Sequence, residues 1–468
     1  MATLTERARK NLLVCRKGFV LGNFARRTPS YLVLLTVMLC LSFWHVKELT
    51  ASPESKLQPT SYGYFDFPTC VRYSLVHSEA LIKNRMEIQI QSADLKDAHA
   101  EIIPTFEVNT RYYLARTRNY NADPSSATRS KFSSSLVMSN FNPLVALVKI
   151  KAKSTMVDVA TTTHEYKITE NIANMAKLFL KISIFEKSLR IDKQIAAFYR
   201  NKVQYAKSRS EQGDFEPLTL RAWNNSLRGQ DIKIKTLEHA LDQGIGQLKL
   251  LMGYHPDYHL PLDTRDAANQ ILLGFNGRVV TFADVQASNL GLKIVAKREQ
   301  LQSVLVAGAY LLLLPRPVFI FQDLNNQVDS VSGTTVAIGT DYTLWDGFKR
   351  VRDIKRQKLR AGQINIERQE LSRQLYERFK TLRGDISLSE EKEGFSREQT
   401  KLAESNEERA FSQYKSGSLT YDIYLDSSIA KAQSHLNSLN TVQERVSALI
   451  DLATIAGGLN KYNAGIRY

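Results

Sequence analysis

Cysteine is almost missing from this chain: three occur in 468 residues, and Cys15 and Cys40 lie before or within an N-terminal apolar segment. Cys70 is then the one thiol of the mature protein, and a disulfide within one chain is excluded. Proline and glycine are also few, at 12 and 22, with prolines gathered near 253–264 and 315–317. Long unbroken helices are therefore allowed, and an all-β or disordered composition is excluded. The apolar run Tyr31–Trp44 is shorter than the ~20 residues that span a bilayer as a helix. Preceded by Arg26 and Arg27, it reads as an export signal, with residues 1–51 forming signal and N-terminal extension and Ala51 a plausible last residue. An uncleaved inner-membrane anchor is the competing reading. Lipidation at Cys40 is disfavoured, because bulky Leu39 precedes it and Leu41, Phe43 and Trp44 continue the apolar run.

The net charge of +16 is partly terminal, since the first 51 residues hold eight basic and two acidic side chains. Downstream, runs such as Lys349–Arg356 are broken by acidic and apolar residues at helical spacing, which fits solvated helix faces and no nucleic-acid partner. Chemistry-bearing clusters are lacking as well. His255, Asp257 and His259 have the composition of a metal site, but Pro256 makes their segment a loop. No Ser-His-Asp arrangement or phosphate-binding glycine loop is evident, so no catalytic residue, cofactor or metal is expected and the chain does not read as an enzyme.

What is present is a repeated cycle. A helical pattern from about Ser78 to Ile103 stops at Pro104, and Phe106, Val108, Thr110 and Tyr112 then alternate with Glu107, Asn109, Arg111 and Tyr113. Turn formers from Asn119 to Ser130 lead to a second alternating run, with Phe132, Leu136 and Met138 opposite Ser133, Ser135 and Ser139, making a β-hairpin within 104–141. After Asn142-Pro143 comes a helix of about 65 residues, on which Ile168, Ile172, Met175, Phe179, Ile182 and Leu189 form a heptad seam. Gly213 breaks it, and a returning helix carries Leu220, Trp223, Leu227, Ile234, Leu237, Leu241, Leu248 and Leu251 on the same rhythm, with Trp223 expected in the core.

Beyond the loop 253–264 the cycle restarts. A helix from about Phe282 to Leu314 precedes a β-hairpin within 315–344, Trp345-Asp346-Gly347 opens a long helix ending at Tyr414–Gly417, and a last helix returns with Leu425, Ile429, Leu436 and Val446. Pro104 and Pro315 lie 211 residues apart, and Gly213 and Gly417 lie 204 apart, which points to internal duplication. Residues 52–264 form the first repeat, 265–458 the second, and 459–468 a tail. Four strands in one chain leave open edges, which lipid does not tolerate, so further chains must complete the sheet.

From about Phe67 to Gly458 these features resemble the TolC-like outer-membrane efflux protein family, the exit ducts of tripartite pumps and type I secretion systems. The most specific segments are Tyr342–Arg350, similar to the family's strand-to-helix junction of a bulky residue, Asp and Gly, and Tyr414–Thr420, similar to its Tyr-x-x-Gly turn. The first copy is degenerate at both places. The resemblance implies a mainly α fold with membrane β: long antiparallel helical hairpins forming a trimeric α-barrel, and four strands per chain contributing to a 12-stranded trimeric outer-membrane β-barrel. It implies a homotrimer in outer-membrane lipid with a long periplasmic extension, working with a periplasmic adaptor and an inner-membrane pump or ABC transporter. Asp422 and Asp426 are the implied periplasmic gate, Gly213, Tyr414, Ser416, Gly417 and Thr420 the adaptor-docking tip, and Trp345 a membrane-interface anchor. The alternative is an inner-membrane-anchored periplasmic coiled-coil adaptor, against which the apolar strand faces argue. The transported substrate is not written in the chain, because such a duct is selected by its pump.

Overall fold

The computed structural model describes residues 64–103, 106–112, 132–138, 143–211, 216–272, 281–326 and 331–457. The signal segment, the tip of the first β-hairpin, Gly213 and the tail 459–468 lie outside the described residues.

The chain begins with α1 (Phe67–His77), α2 (Glu79–Ala100), β1 (Phe106–Tyr112), β2 (Phe132–Met138), α3 (Pro143–Glu211) and α4 (Pro217–Met252) among the described residues. A short helix α5 (Ala267–Leu272) follows, then α6 (Phe282–Ser288), α7 (Leu290–Leu311), β3 (Arg316–Asn326), β4 (Val331–Asp341), α8 (Lys349–Lys415) and α9 (Tyr421–Ile455). The helix expected at 78–103 is α2, and a further helix, α1, precedes it: Asp66 caps α1 through a bond from the Thr69 amide, and Ser78, at ψ 119°, separates the two. The helix expected at 282–314 is instead divided at Asn289, also at ψ 119°, whose side chain accepts from the Leu292 amide to start α7. Both breaks precede a helix of 22 residues. No described helix is long and apolar enough to cross a membrane.

α3 and α8, of 69 and 67 residues, are each about 100 Å long at 1.5 Å per residue. Helices this long have no globular core to enclose them and must bury their seams against one another. Near the sheet they pack side by side in the order α2, α3, α7, α8; at the far end the order is α4, α3, α9, α8. The expected seam is buried where these rows meet: Ile168, Ile172, Met175, Phe179 and Ile182 are at most 1% exposed. They join Phe67, Leu248, Met252, Leu260, Ile271, Val446 and Ile450 in the main core. The inter-repeat loop is tied to this core, since Phe65 bridges Leu262 and its amide donates to Pro261 O at 2.8 Å. Toward the far end the core thins to Ile195, Ala432 and Leu436.

The four strands form one antiparallel meander, β1-β2-β3-β4. Phe106 pairs with Met138, Ser133 with Asn326, and Arg316 with Asp341. Thus β1 and β4 are edge strands, each unpaired on one side among the described residues. On β4, Val336 and Ile338 share a face by the two-residue period and are 73% and 78% exposed.

Between α2 and α3 a buried imidazole, His164, sits beside the Arg85 guanidinium. Burial chiefly, and Arg85 secondarily, push its pKa below the ordinary 6.5. The unfolded chain therefore binds the proton more readily, so this contribution to stability is complete above about pH 6.5 and is lost as pH falls from there toward the lowered folded value. His77, lowered by burial, acts with the same sign. Thermal melting of the wild type is expected to shift downward on acidification through this range, and His164→Gln is expected to flatten the slope. An unchanged slope in the variant would exclude the role.

Candidate functional site

Two places collect the residues expected to work: the far end of the helical hairpins, and the junction of β4 with α8. At the far end α8 stops in a Schellman turn. Gly417 adopts φ +77°, its amide donates to Tyr414 O at 3.0 Å, and the Ser418 amide donates to Gln413 O at 3.0 Å. A Cβ at Gly417 meets nothing within 4 Å, so the left-handed backbone alone selects glycine there. Ser416 Oγ donates to Gln413 O and lies 3.0 Å from Ser418 Oγ, which pins the hydroxyls to the turn. Thr420 is the N-cap residue of α9 and makes no side-chain cap bond. Tyr414 stands at the head of an aromatic cluster, stacked on Tyr424 with ring centroids 5.7 Å apart and 5.2 Å from Tyr421. Tyr421 in turn meets Tyr205 of α3 at 5.7 Å. The rings therefore join the second helical hairpin to the first.

Asp422 and Asp426 lie four residues apart on α9, and they have different surroundings. Asp422 occupies the first turn of the helix, where a carboxylate is favoured by the amide dipoles. Asp426 accepts from Lys202 Nζ at 2.6 Å. Lys202, on α3, is 3% exposed, and its ammonium lies 4.4 Å from the ring centre of Trp223 on α4. One cation thus clasps three helices, α3, α4 and α9. Trp223 belongs to this clasp and is only half-buried, where the heptad pattern placed it in the core.

Sequence reasoning missed Lys202, Tyr205, Tyr421 and Tyr424. A signal existed for Lys202, which continues the buried α3 stripe of Ile195, Tyr199 and Ala206 at steps of four and three, where an apolar residue is the default. Two other charges occupy seam positions. Asp192, 1% exposed, accepts from Lys233 Nζ and Gln230 Nε2, both at 2.8 Å, and Glu393 of α8 pairs with Arg397 and Arg445. Buried ion pairs contribute little net stability but penalise other alignments, which suits helices too long to find their register from Leu and Ile alone.

At the second place, the Asp-Gly signature has a local cause. Gly347 and Phe348 both adopt left-handed backbone, at φ 62° and 63°. The Asp346 carboxylate then accepts from the amides of Lys349 and Arg350, each at 3.1 Å. The helix consequently starts at Lys349, two residues later than Trp345-Asp346-Gly347 suggested. Trp345 is 71% exposed and meets Phe348 edge-to-face at 4.9 Å. Elsewhere, His255 lies 3.8 Å from Asp257 and packs on Tyr258, and no described group of three His, Cys, Asp or Glu side chains is placed to hold a metal.

Taken together, a four-stranded sheet with open edges, two helices about 100 Å long with shorter helices packed along them, and a clasped far end define a mainly α fold carrying a β-sheet. It is the fold of the TolC-like outer-membrane channels. No family model matches the sequence, and no curated protein does. Solved structures do match. The outer membrane channel CmeC of Campylobacter jejuni aligns with a TM-score of 0.72 at 11% identity, over 84% of this chain and 86% of that one. CusC, described for its transmembrane channel formation, aligns at 0.70 with 13% identity, over 86% of this chain and 95% of its own. The open state of the Neisseria gonorrhoeae MtrE outer membrane channel aligns at 0.68 with 12% identity, over 84% and 89%. At these identities the likeness establishes the fold.

Proposed function

We propose that the protein is the outer-membrane exit duct of a tripartite efflux pump or type I secretion system, a passive homotrimeric channel whose far end docks a periplasmic adaptor. One observation supports this most: both layers of the chain end on unpartnered edges. β1 and β4 leave backbone groups unpaired, and α8 carries a second, outward heptad stripe of Leu359, Ile366, Leu388, Phe395 and Leu402, each more than half exposed. The opposite margin presents Met86 and Ile90 on α2 and Leu218 and Ile232 on α4. Two complementary open margins on one chain fit closure with further copies around an axis. Three copies yield a 12-stranded barrel continuous with a helical tube.

In this reading, the clasp of Lys202, Asp426 and Trp223 holds the two helical hairpins together in the closed state. Asp422, on the same face and outside that ion pair, is the candidate for the cation-attracting ring at the entrance. Gly417, Ser416, Tyr414 and Thr420 form the surface offered to the adaptor, and Gly213 belongs to the corresponding turn of the first copy. Trp345 anchors the barrel at the membrane boundary.

The test is direct. Protein purified from outer-membrane fractions is expected to run as a detergent-resistant trimer and to give discrete conductance steps in planar bilayers. A monomer that fractionates with the inner membrane and yields no steps would overturn the duct and favour the coiled-coil adaptor.

A further inference from the structure

The basic run at the start of α8 is not used by the duct as described above. Lys349–Arg360 contains seven Lys and Arg against one acidic residue, Asp353, and that carboxylate is already paired with Arg356 at 3.2 Å. Arg350 is turned to Asp346, and Lys358 lies over the Tyr310 ring at 5.3 Å. Lys349, Arg352, Lys355 and Arg360 are exposed and have no carboxylate partner among the described residues. Spacings of three and four put Lys349, Arg352, Arg356 and Arg360 on one face of the helix. Like charges so aligned repel, so a face of this kind calls for an anionic counterpart from outside the chain.

The segment just before it is apolar and as exposed. Tyr342, Leu344, Trp345 and Phe348 are 51%, 91%, 71% and 58% exposed, and they continue the bare face of Val336 and Ile338. Aromatic rings at the end of a lipid-facing sheet settle at headgroup depth. Along α8, Arg352 lies about 5 Å beyond Lys349, within a headgroup layer of roughly 5–7 Å, while Arg356 and Arg360 lie about 10 and 16 Å along and face the aqueous side of that layer. Arg352 is drawn back toward the junction, its Nη1 donating to Gly347 O at 2.7 Å. Apolar wedge and cationic face are thus consecutive along the chain.

We propose that the β4–α8 junction is a binding surface for anionic phospholipid headgroups, with Trp345 and its neighbours in the acyl boundary, Lys349 and Arg352 at the phosphates, and Arg356 and Arg360 attracted to the same anionic surface from farther along the helix. This rests on the reading of the protein as a membrane-inserted duct. A cation near an anionic bilayer surface strengthens association roughly fivefold, an effect confined to about a Debye length. Four of them on one face make the preference measurable.

Vesicle association of the full-length protein is the experiment, comparing phosphatidylcholine alone with phosphatidylcholine doped with phosphatidylglycerol. The variant combines Lys349→Gln, Arg352→Gln, Arg356→Gln and Arg360→Gln. Wild type and variant are expected to insert equally into the neutral vesicles. Phosphatidylglycerol is expected to raise wild-type association at least tenfold at low salt, with the gain abolished by high salt and absent from the variant. Restoring Lys349 and Arg352 should recover part of the gain. An equal gain in the variant, or none in the wild type, overturns the lipid surface. A variant whose conductance turns more cation-selective while its lipid response is intact also overturns it, because the cations then face the lumen. Failure of both proteins to insert into neutral vesicles defeats the duct reading itself, and so is a separate result.

Discussion

In the proposed duct, Asp426→Asn is expected to hold the channel open. The substitution preserves shape and removes the charge that neutralises Lys202, whose side chain is 3% exposed. A buried ammonium left with a neutral amide oxygen and the face of Trp223, without a countercharge, is unfavourable by about 2 kcal/mol, a value reduced from that of a fully buried pair because the Asp426 side chain is 59% exposed. That cost falls on the closed arrangement alone, since separating the hairpins lets Lys202 reach water. A bias of about 2 kcal/mol per protomer changes the closed-to-open ratio roughly thirtyfold. Single-channel recordings should therefore show at least a tenfold longer open dwell time, and Lys202→Met, which removes the buried charge altogether, should perturb closure less than Asp426→Asn. Equal dwell times in wild type and Asp426→Asn would sink the clasp.

The double variant Leu388→Asp and Phe395→Asp is expected to abolish the proposed trimer and leave the protomer folded. Both side chains are more than half exposed on the outward stripe of α8, opposite the seam of Leu375, Phe379 and Leu382. Burying each against a neighbouring chain contributes about 2 kcal/mol, so losing both weakens every interface by about 4 kcal/mol, or roughly a thousandfold. The inner seam is untouched, and helicity should be retained. Native mass spectrometry in detergent is the readout, with circular dichroism to check that helicity is kept. A persisting trimer would place the contact elsewhere.

Much of the architecture was legible because helix and strand patterns repeat within a few residues. The α3 seam of Ile168 to Ile182, the return after Gly417 and the alternation on β4 all reflect local geometry, a period of 3.5 or of 2, written in consecutive residues. The Asp346-Gly347 junction was legible for the same reason, although its two left-handed residues moved the helix start to Lys349. Less legible was the outward stripe of α8. Its heptad is interrupted by charged residues between Ile366 and Leu388, so the inner seam of Leu375 and Phe379 dominates the pattern.

The candidate site divides along the same line. The left-handed turn at Gly417 and the exposure of Trp345 depend on their own stretch of chain, and the sequence alone pointed to both positions as candidates. Asp426 was visible as an acid near a turn, but its partner is 224 residues away. The local pattern marks Lys202 as a charge on the α3 stripe, but nothing local says which carboxylate it meets.

The sequence by itself determined the helices, the paired strands, their order and the places where the chain turns, because those depend on contacts between near neighbours and on backbone conformations that few residues tolerate. Only the tertiary structure decided which charges meet. Asp426 with Lys202, Asp192 with Lys233 and Glu393 with Arg445 are selected by the axial alignment of helices about 100 Å long, and that alignment is a property of all their packed seams together.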